Sequence, residues 1–447
     1  MGIKRGRLLT LVVACAAAGG IANDGGAVAA ESAGADIVTG VGAGAPPAVK
    51  VFSGSSGAVV QSFLAYDPGF AGGVRVAAGD VNGDGFADIV TGAGPTGAPL
   101  VKVFSGADGS LLSSFLAYDP AFTGGIFVAA GDVDGDGYDD VVTGADAGGA
   151  PHVKVFSGAD GSLLRSFFAY DPSFAGGVRV AAGDVNGDGL ADLVTGSGPR
   201  AGSQVKVISG ADGSLLASFF AYDPAFTGGI FVAAGDVDGD GHDDVVTGTD
   251  ATAGPQVKVF SGADGSVLRS FFAYDPTFTG GVRVAAGDVD ADGFADILTA
   301  TGTGVAAHVK AFRGTDVAEI RSFLPYGTFA GGAYVAGRAA GVTPPDSDGD
   351  GIPDASDPDT VGALVAALPD DAFKAPGQRT AMLSRLDDVE QRILARDIAG
   401  AVDGFSDLLK RVDGCGDSAG RDDWIVDCEA QRAIRAAIEG VIAALQP

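Results

Sequence analysis

Five short stretches of this chain place oxygen-bearing side chains at every second residue around glycines. In the segment from Asp80 to Asp88 they fall at positions 1, 3, 5 and 9, as Asp80, Asn82, Asp84 and Asp88, and position 7 adds the backbone carbonyl of Phe86. The spacing recurs as Asp132, Asp134, Asp136, Tyr138 and Asp140, and as Asp184, Asn186, Asp188, Leu190 and Asp192. It returns as Asp236, Asp238, Asp240, His242 and Asp244, and last as Asp288, Asp290, Asp292, Phe294 and Asp296. Hard Ca²⁺ takes six to eight oxygens at about 2.3–2.6 Å, and alternate residues on a tight loop turn their oxygens to one side. Gly at position 6 supplies the positive φ of such a turn. Loop five has Ala291 where the others have Gly at position 4, yet keeps Gly293, and is expected still to bind. The plain alternative is a solvated acidic turn without metal. Against it, three or four carboxylates forced together repel one another unless a cation lies between them.

These loops belong to a unit of 52 residues repeated without slippage over five copies. Each copy carries four runs rich in β-branched and aromatic residues, separated by Gly, Asp and Pro clusters, which predicts strands. In the first copy they are A (Val74–Ala78), B (Ile89–Thr91), C (Val101–Phe104) and D (Leu111–Tyr118). Four strands repeated at about 40 to 50 residues predict a β-propeller blade. The chain enters the repeat at Ala35–Gly40, which reads as strand B without an A, and leaves it with a lone A near Ala333–Ala336. An open ring would expose two sheet edges. Pairing the orphan A with the N-terminal B-C-D removes them, so the sequence predicts an all-β, six-bladed propeller over 35–341, followed by a small α-helical bundle.

The run Val-Ala-Ala-Gly-Asp-Val-Asn-Gly-Asp-Gly-Phe-Ala-Asp-Ile-Val-Thr-Gly resembles the FG-GAP/VCBS-type repeats of integrin α-subunit propellers and of many bacterial secreted proteins. The resemblance covers about 300 residues. It implies that the loop joins strands A and B on one face and holds Ca²⁺ through the positions named above. The integrin head has seven blades, so its ligand-binding geometry is not carried over to six. At the sixth unit Gly337-Arg338-Ala339-Ala340 replaces the acidic loop, and no metal is expected there.

A second acidic element carries Asp346, Asp348, Asp350, Ile352, Asp354 and Asp357. It resembles a single thrombospondin type-3 repeat, which implies one more Ca²⁺ in a stiffened linker over 342–359; a flexible acidic linker is the alternative. From 360 to 447 apolar residues recur at three- and four-residue spacing, as in Leu383, Leu386, Val389 and Ile393, and predict helices. Cys415 and Cys428 lie close together in that segment and read as a disulfide of an oxidising compartment. The helical module resembles small domains at the C-termini of bacterial extracellular proteins. At the other end, a basic start, a short apolar run and Ala27-Val28-Ala29-Ala30 read as a secretory signal over 1–30. Val12-Val13-Ala14-Cys15 also resembles a lipoprotein box, so cell-surface anchoring through Cys15 stands beside simple secretion.

Acids outnumber bases 57 to 28, for a net charge of −29. That excludes nucleic acid and anionic membrane as partners, since both demand clustered Lys and Arg, and no stretch is long and apolar enough to span a bilayer. His152 and His308 fall at equivalent positions 156 residues apart, His242 sits at loop position 7 where only its carbonyl is needed, and the six lysines repeat with the blades as architecture does, so no catalytic residue is assigned. One position alternates around the ring: Arg75, Phe127, Arg179, Phe231, Arg283 and Tyr334 fall at the same place in strand A. Near the axis they would form a rosette of cations and aromatics for an anionic or saccharide ligand, or else simply pack the blades. The expectation is a secreted, monomeric, calcium-stabilised, non-catalytic protein that binds or adheres to an extracellular protein or glycan. The rivals are a propeller-based hydrolase or lyase and a structural cell-surface spacer.

Overall fold

The computed structural model describes residues 35–337, together with 361, 365, 368, 373, 375, 377–394, 398–412, 434, 435 and 438. Residues 35–337 form a six-bladed β-propeller of six four-stranded antiparallel sheets. The first complete blade consists of β4 (Val74–Gly79), β5 (Asp88–Ala93), β6 (Leu100–Phe104) and β7 (Leu111–Leu116), paired in that order. Four more blades repeat it, with inner strands β8 (Ile126–Gly131), β12 (Val178–Gly183), β16 (Ile230–Gly235) and β20 (Val282–Gly287).

The sixth blade is composite. Its inner strand β24 (Ala333–Gly337) pairs antiparallel with β1 (Ile37–Val41), setting Ile37 opposite Gly337 and Val41 opposite Ala333. β2 (Ala48–Phe52) and β3 (Val59–Leu64) complete the sheet, so the ring closes as the sequence predicts.

Burial follows strand position. β5 is buried along its whole length, as are its counterparts, whereas β7 exposes most of its residues at the rim. The glycine of each Thr-Gly pair in the second strand lets the next blade approach: a Cβ on Gly92 would meet Ile126 O and Val128 Cγ1, both at 2.9 Å. Gly144, Gly196 and Gly248 meet the same two elements of their neighbours. A shift of register recurs in every blade between the third and fourth strands, at Val103/Phe104 in the first.

Strand D is shorter than the sequence suggests, ending at Leu116 rather than Tyr118. Tyr118 leaves the sheet to donate its hydroxyl proton across the seam, with Thr143 O at 3.0 Å and His152 O at 2.8 Å as acceptors. Tyr66, Tyr170, Tyr222, Tyr274 and Tyr326 do the same at the other seams. The repeated lysines belong to this device. Lys154 Nζ donates to Ala117 O at 2.8 Å and lies 5.2 Å from the Tyr118 ring centroid. Lys50, Lys206 and Lys258 repeat both contacts, while Lys310 turns to Glu319.

The C-terminal region contains α1 (Gln378–Leu394) and α2 (Ile398–Leu409). Met382, Leu386, Val389, Ala401, Phe405 and Leu408 share one buried apolar cluster, which Val361, Val365, Ile434 and Ile438 join. Leu386 and Val389 are at the spacing the sequence indicates; Met382 takes the fully buried place beside Leu383. The signal segment with Cys15, the acidic linker from Asp346 to Asp357, and the pair Cys415 and Cys428 lie outside the described residues.

Candidate metal centre

Each acidic loop connects the first and second strands of its blade, and position 9 is the first residue of the second strand. Asp88 stands opposite Gly79 in the register. Its side chain is wholly buried and spans the blade: Oδ2 accepts from Val81 N at 3.1 Å and Asn82 N at 3.2 Å, and Oδ1 accepts from Gly106 N at 2.9 Å. Asp140, Asp192, Asp244 and Asp296 accept from the equivalent glycines Gly158, Gly210, Gly262 and Gly314. Position 1 organises the turn. Asp80 Oδ1 accepts from Asp84 N at 3.1 Å and Oδ2 from Gly85 N at 2.8 Å, so the loop wraps its first carboxylate in backbone N–H groups.

The carboxylates converge. Ligand oxygens lie within 4.8 Å of one another in the sets Asp132, Asp134, Asp136; Asp236, Asp238, Asp244; and Asp288, Asp290, Asp296. In the two loops with Asn at position 3, the amide bridges instead: Asn82 Nδ2 donates to Asp84 Oδ2 and Asn186 Nδ2 to Asp188 Oδ2, both at 3.0 Å. Burial pushes the position-9 carboxyls up, Asp88 and Asp244 to about 7 and Asp140 and Asp296 to about 6, and neighbouring loop carboxylates add to the shift. A cation among them would reverse that penalty.

The donor set fits calcium. It consists of oxygens alone, which is the chemistry of a hard cation. Two position-3 oxygens, Asp238 Oδ1 and Asp290 Oδ1, are buried without a hydrogen-bond partner. Buried polar atoms are ordinarily paired, so each orphan calls for an explanation.

Three features of the loops escape a reading of one blade at a time. At position 7 the side chain acts as well as the carbonyl: it covers the position-4 glycine of the preceding blade. A Cβ on Gly83 would stand 2.8 Å from the Tyr138 ring, one on Gly135 2.8 Å from Leu190, and one on Gly187 2.7 Å from His242. Phe294 covers Gly239 likewise. Ala291 adopts φ 59° in loop five, at the position the other loops give to glycine. At position 8, Asp139 and Asp243 hold the neighbouring loop, where Ala87, Ala191 and Ala295 cannot. Finally, Arg313 in blade five forms ion pairs with Asp290 and Asp292.

The alternating residues of the inner strands meet at the axis around a cavity of about 60 Å³. Each guanidinium lies between two rings: Arg75 is 5.0 Å from the Phe127 centroid and 5.2 Å from Tyr334, and Arg179 is 5.2 Å from both Phe127 and Phe231. Arg283 lies 4.1 Å from Tyr334 and 5.9 Å from Phe231. Arg75 and Arg179 are almost fully buried and paired with Asp146 and Asp250, each at 2.5 Å. The third equivalent is Gly42, whose N–H bonds Gly332 O as Asp146 N bonds Gly125 O. Arg283 therefore donates Nη1 to Thr301 O and Ala333 O, both at 3.0 Å.

Fold and loops together define a class: a closed propeller whose first interstrand loops are acidic cradles. The FG-GAP repeat family matches residues 72–107 and the FG-GAP-like repeat family residues 132–195. The ring is thus a six-bladed β-propeller that carries FG-GAP and FG-GAP-like repeats at those residues. Among solved structures, the chain is similar to the V. cholerae biofilm matrix protein Bap1, at 20% identity over 56% of this chain and 39% of that one, with a TM-score of 0.31. It is also similar to the RRP9 WD40 repeats, at 14% identity over 66% and 87% with a TM-score of 0.40. A third is the Bacillus licheniformis rhamnogalacturonan lyase PL11, at 16% identity over 64% of each chain with a TM-score of 0.34. Among the described residues, no helix is long and apolar enough to cross a membrane.

Proposed function

We propose that the protein is a secreted, calcium-stabilised, non-catalytic binding or adhesion propeller that recognises an extracellular protein or polysaccharide. The observation that carries the calcium reading is the convergence of carboxylate oxygens in the loops, with Asp238 Oδ1 and Asp290 Oδ1 buried and unpaired. Asp, Asn and backbone oxygens of positions 1, 3, 5, 7 and 9 hold the ion, and its charge offsets a repulsion that the fold otherwise bears alone.

The non-catalytic reading is supported by the placement of the histidines. His152 and His308 hydrogen-bond Ser166 and Ser322 of the adjacent strand, each at 2.8 Å, and His242 lies over the neighbouring loop with Nδ1 3.2 Å from Val185 O. Within the rosette, burial and pairing of Arg75 and Arg179 favour packing of the ring over capture of a free anion. The ligand surface is then outside the axis.

Two measurements test the proposal. Metal analysis of the full-length chain should return one calcium per acidic loop; a metal-free protein overturns the calcium reading. Incubation with a glycan array and a panel of extracellular matrix proteins should give binding that chelator abolishes and that leaves the ligand intact. Turnover of any glycan would instead establish the lyase or hydrolase alternative.

A further inference from the structure

The five acidic loops are not equivalent. The residue that follows the third strand is Ser53, Ser105, Ser157, Ser209 or Ser261 in five blades and Arg313 in blade five. The backbone is the same: Arg313 N bonds Ala318 O at 2.8 Å, as Ser105 N bonds Ser110 O at 2.8 Å. The side chains differ in what they reach. Ser105 Oγ accepts from the N–H groups of its own turn. Arg313 instead extends to loop five, where Nε donates to Asp290 Oδ2 at 2.9 Å and stands 3.7 Å from Asp292 Oδ2. Its Nη1 lies 3.6 Å from Asp316 Oδ2.

We propose that Arg313 is a built-in counter-cation of loop five, holding that loop in its ligating shape without metal and making it a weaker calcium site than loops two and four, which carry the same four aspartates. The inference rests on the calcium reading above. Loops two and four carry the same four aspartates with a neutral serine at this place, so the charge presented to an incoming ion is smaller in loop five. Affinity of oxygen-ligand sites follows the count of ligand charges and the rigidity of the loop. The guanidinium occupies the outer oxygen of Asp290 and leaves Oδ1 buried and unpaired, so the site is weakened rather than blocked. Ala291, at φ 59°, adds backbone strain that the glycines of the other loops avoid.

The location gives this arrangement a purpose. Ala35 N donates to Asp288 O at 2.5 Å, so loop five is where the N-terminal strand docks to close the ring. A loop that keeps its shape by itself lets the composite blade assemble whether or not calcium is present.

Hydrogen exchange of the full-length chain, followed by mass spectrometry on peptides covering each loop across a calcium series, tests this. In chelator, loop five should be protected while loops two and four are not, and its calcium midpoint should lie on the order of tenfold above theirs. Arg313→Ser installs the residue the other blades carry. It should remove the chelator-resistant protection and bring the loop-five midpoint to that of loops two and four, with the far-UV spectrum unchanged. Arg313→Lys, which keeps the charge, should retain most of the protection. Equal midpoints in the wild type, or an Arg313→Ser variant with loop five unaltered, overturn the role of Arg313. Calcium that protects none of the loops overturns the calcium reading instead, so the two failures are told apart.

Discussion

Asp139 and Asp80 meet across the seam between two blades through a reciprocal pair of hydrogen bonds. Asp80 N donates to Asp139 Oδ2 and Asp139 N donates to Asp80 O, both at 2.8 Å. Asp243 and Asp184 repeat the pair. Blades three and five have alanine at position 8, and there only the backbone half remains, in Ala191 N to Asp132 O and Ala295 N to Asp236 O, both at 2.7 Å.

Replacing Asp139 by Ala should therefore destabilise the propeller by about 1–2 kcal/mol, the usual consequence of leaving one buried N–H without its acceptor. Ala is native at position 8 of the alternate blades, so the fold itself should survive. Urea unfolding of Asp139→Ala and of the double variant with Asp243→Ala checks the value, and the two losses should add because the seams are separate.

Chelation should lower the melting temperature. Each loop held at a calcium concentration 100 times its Kd contributes about 2.7 kcal/mol by mass action. A thermal scan with EGTA, and another with calcium restored, should differ by an amount that grows with free calcium. Magnesium, which demands a tighter octahedral shell, should restore much less. A melting curve indifferent to all three conditions contradicts the assignment.

The buried pair of Arg75 and Asp146 invites a double-mutant cycle. Asp146→Ala alone leaves a charge in a nearly closed site and should cost about 3 kcal/mol. Arg75→Met together with Asp146→Ala should cost less than the single change, because no unpaired charge is left. An additive cycle would contradict the pairing.

The turns between second and third strands store strain. Thr96, Arg200 and Thr252 sit at φ 79°, 82° and 90°, where the equivalent residues Gly44, Gly148 and Gly304 are glycine. A β-branched residue at positive φ is unfavourable by roughly 1 kcal/mol or more, so Thr96→Gly and Thr252→Gly should each stabilise the chain, by less than about 1 kcal/mol after the greater unfolded-state entropy of glycine is offset. Denaturant midpoints of the single variants check the sign.

The ring and its closure were legible because they follow from one periodicity and from edge pairing: the lone strand near Ala333–Ala336 had one available partner, the strand beginning at Ile37. The loop positions were legible because odd-numbered oxygens recur at Asp80, Asp132, Asp184, Asp236 and Asp288. What escaped involves contacts between successive units. Tyr138 and His242 were read for their carbonyls, although their side chains cover Gly83 and Gly187 of the blade before. The signal for position 8 was present as a 104-residue alternation, Ala87, Asp139, Ala191, Asp243, Ala295, in step with the Arg and Phe of the inner strands. Asp146 and Asp250 follow the same alternation and end at Gly42, which is why only two of the three axial arginines have a carboxylate. A single-unit comparison averages such alternation away. Arg313 broke the serine pattern, but nothing local says that its reach ends at Asp290.

The antiparallel pairing that sets Ile37 against Gly337 has a mechanical consequence. Both flanking segments leave the ring from the same end of one ladder, so tension applied between them would load its hydrogen bonds one rung at a time, like a zipper, rather than all together in shear. The composite sheet is therefore the place where a pull on the two flanking segments meets the ring first.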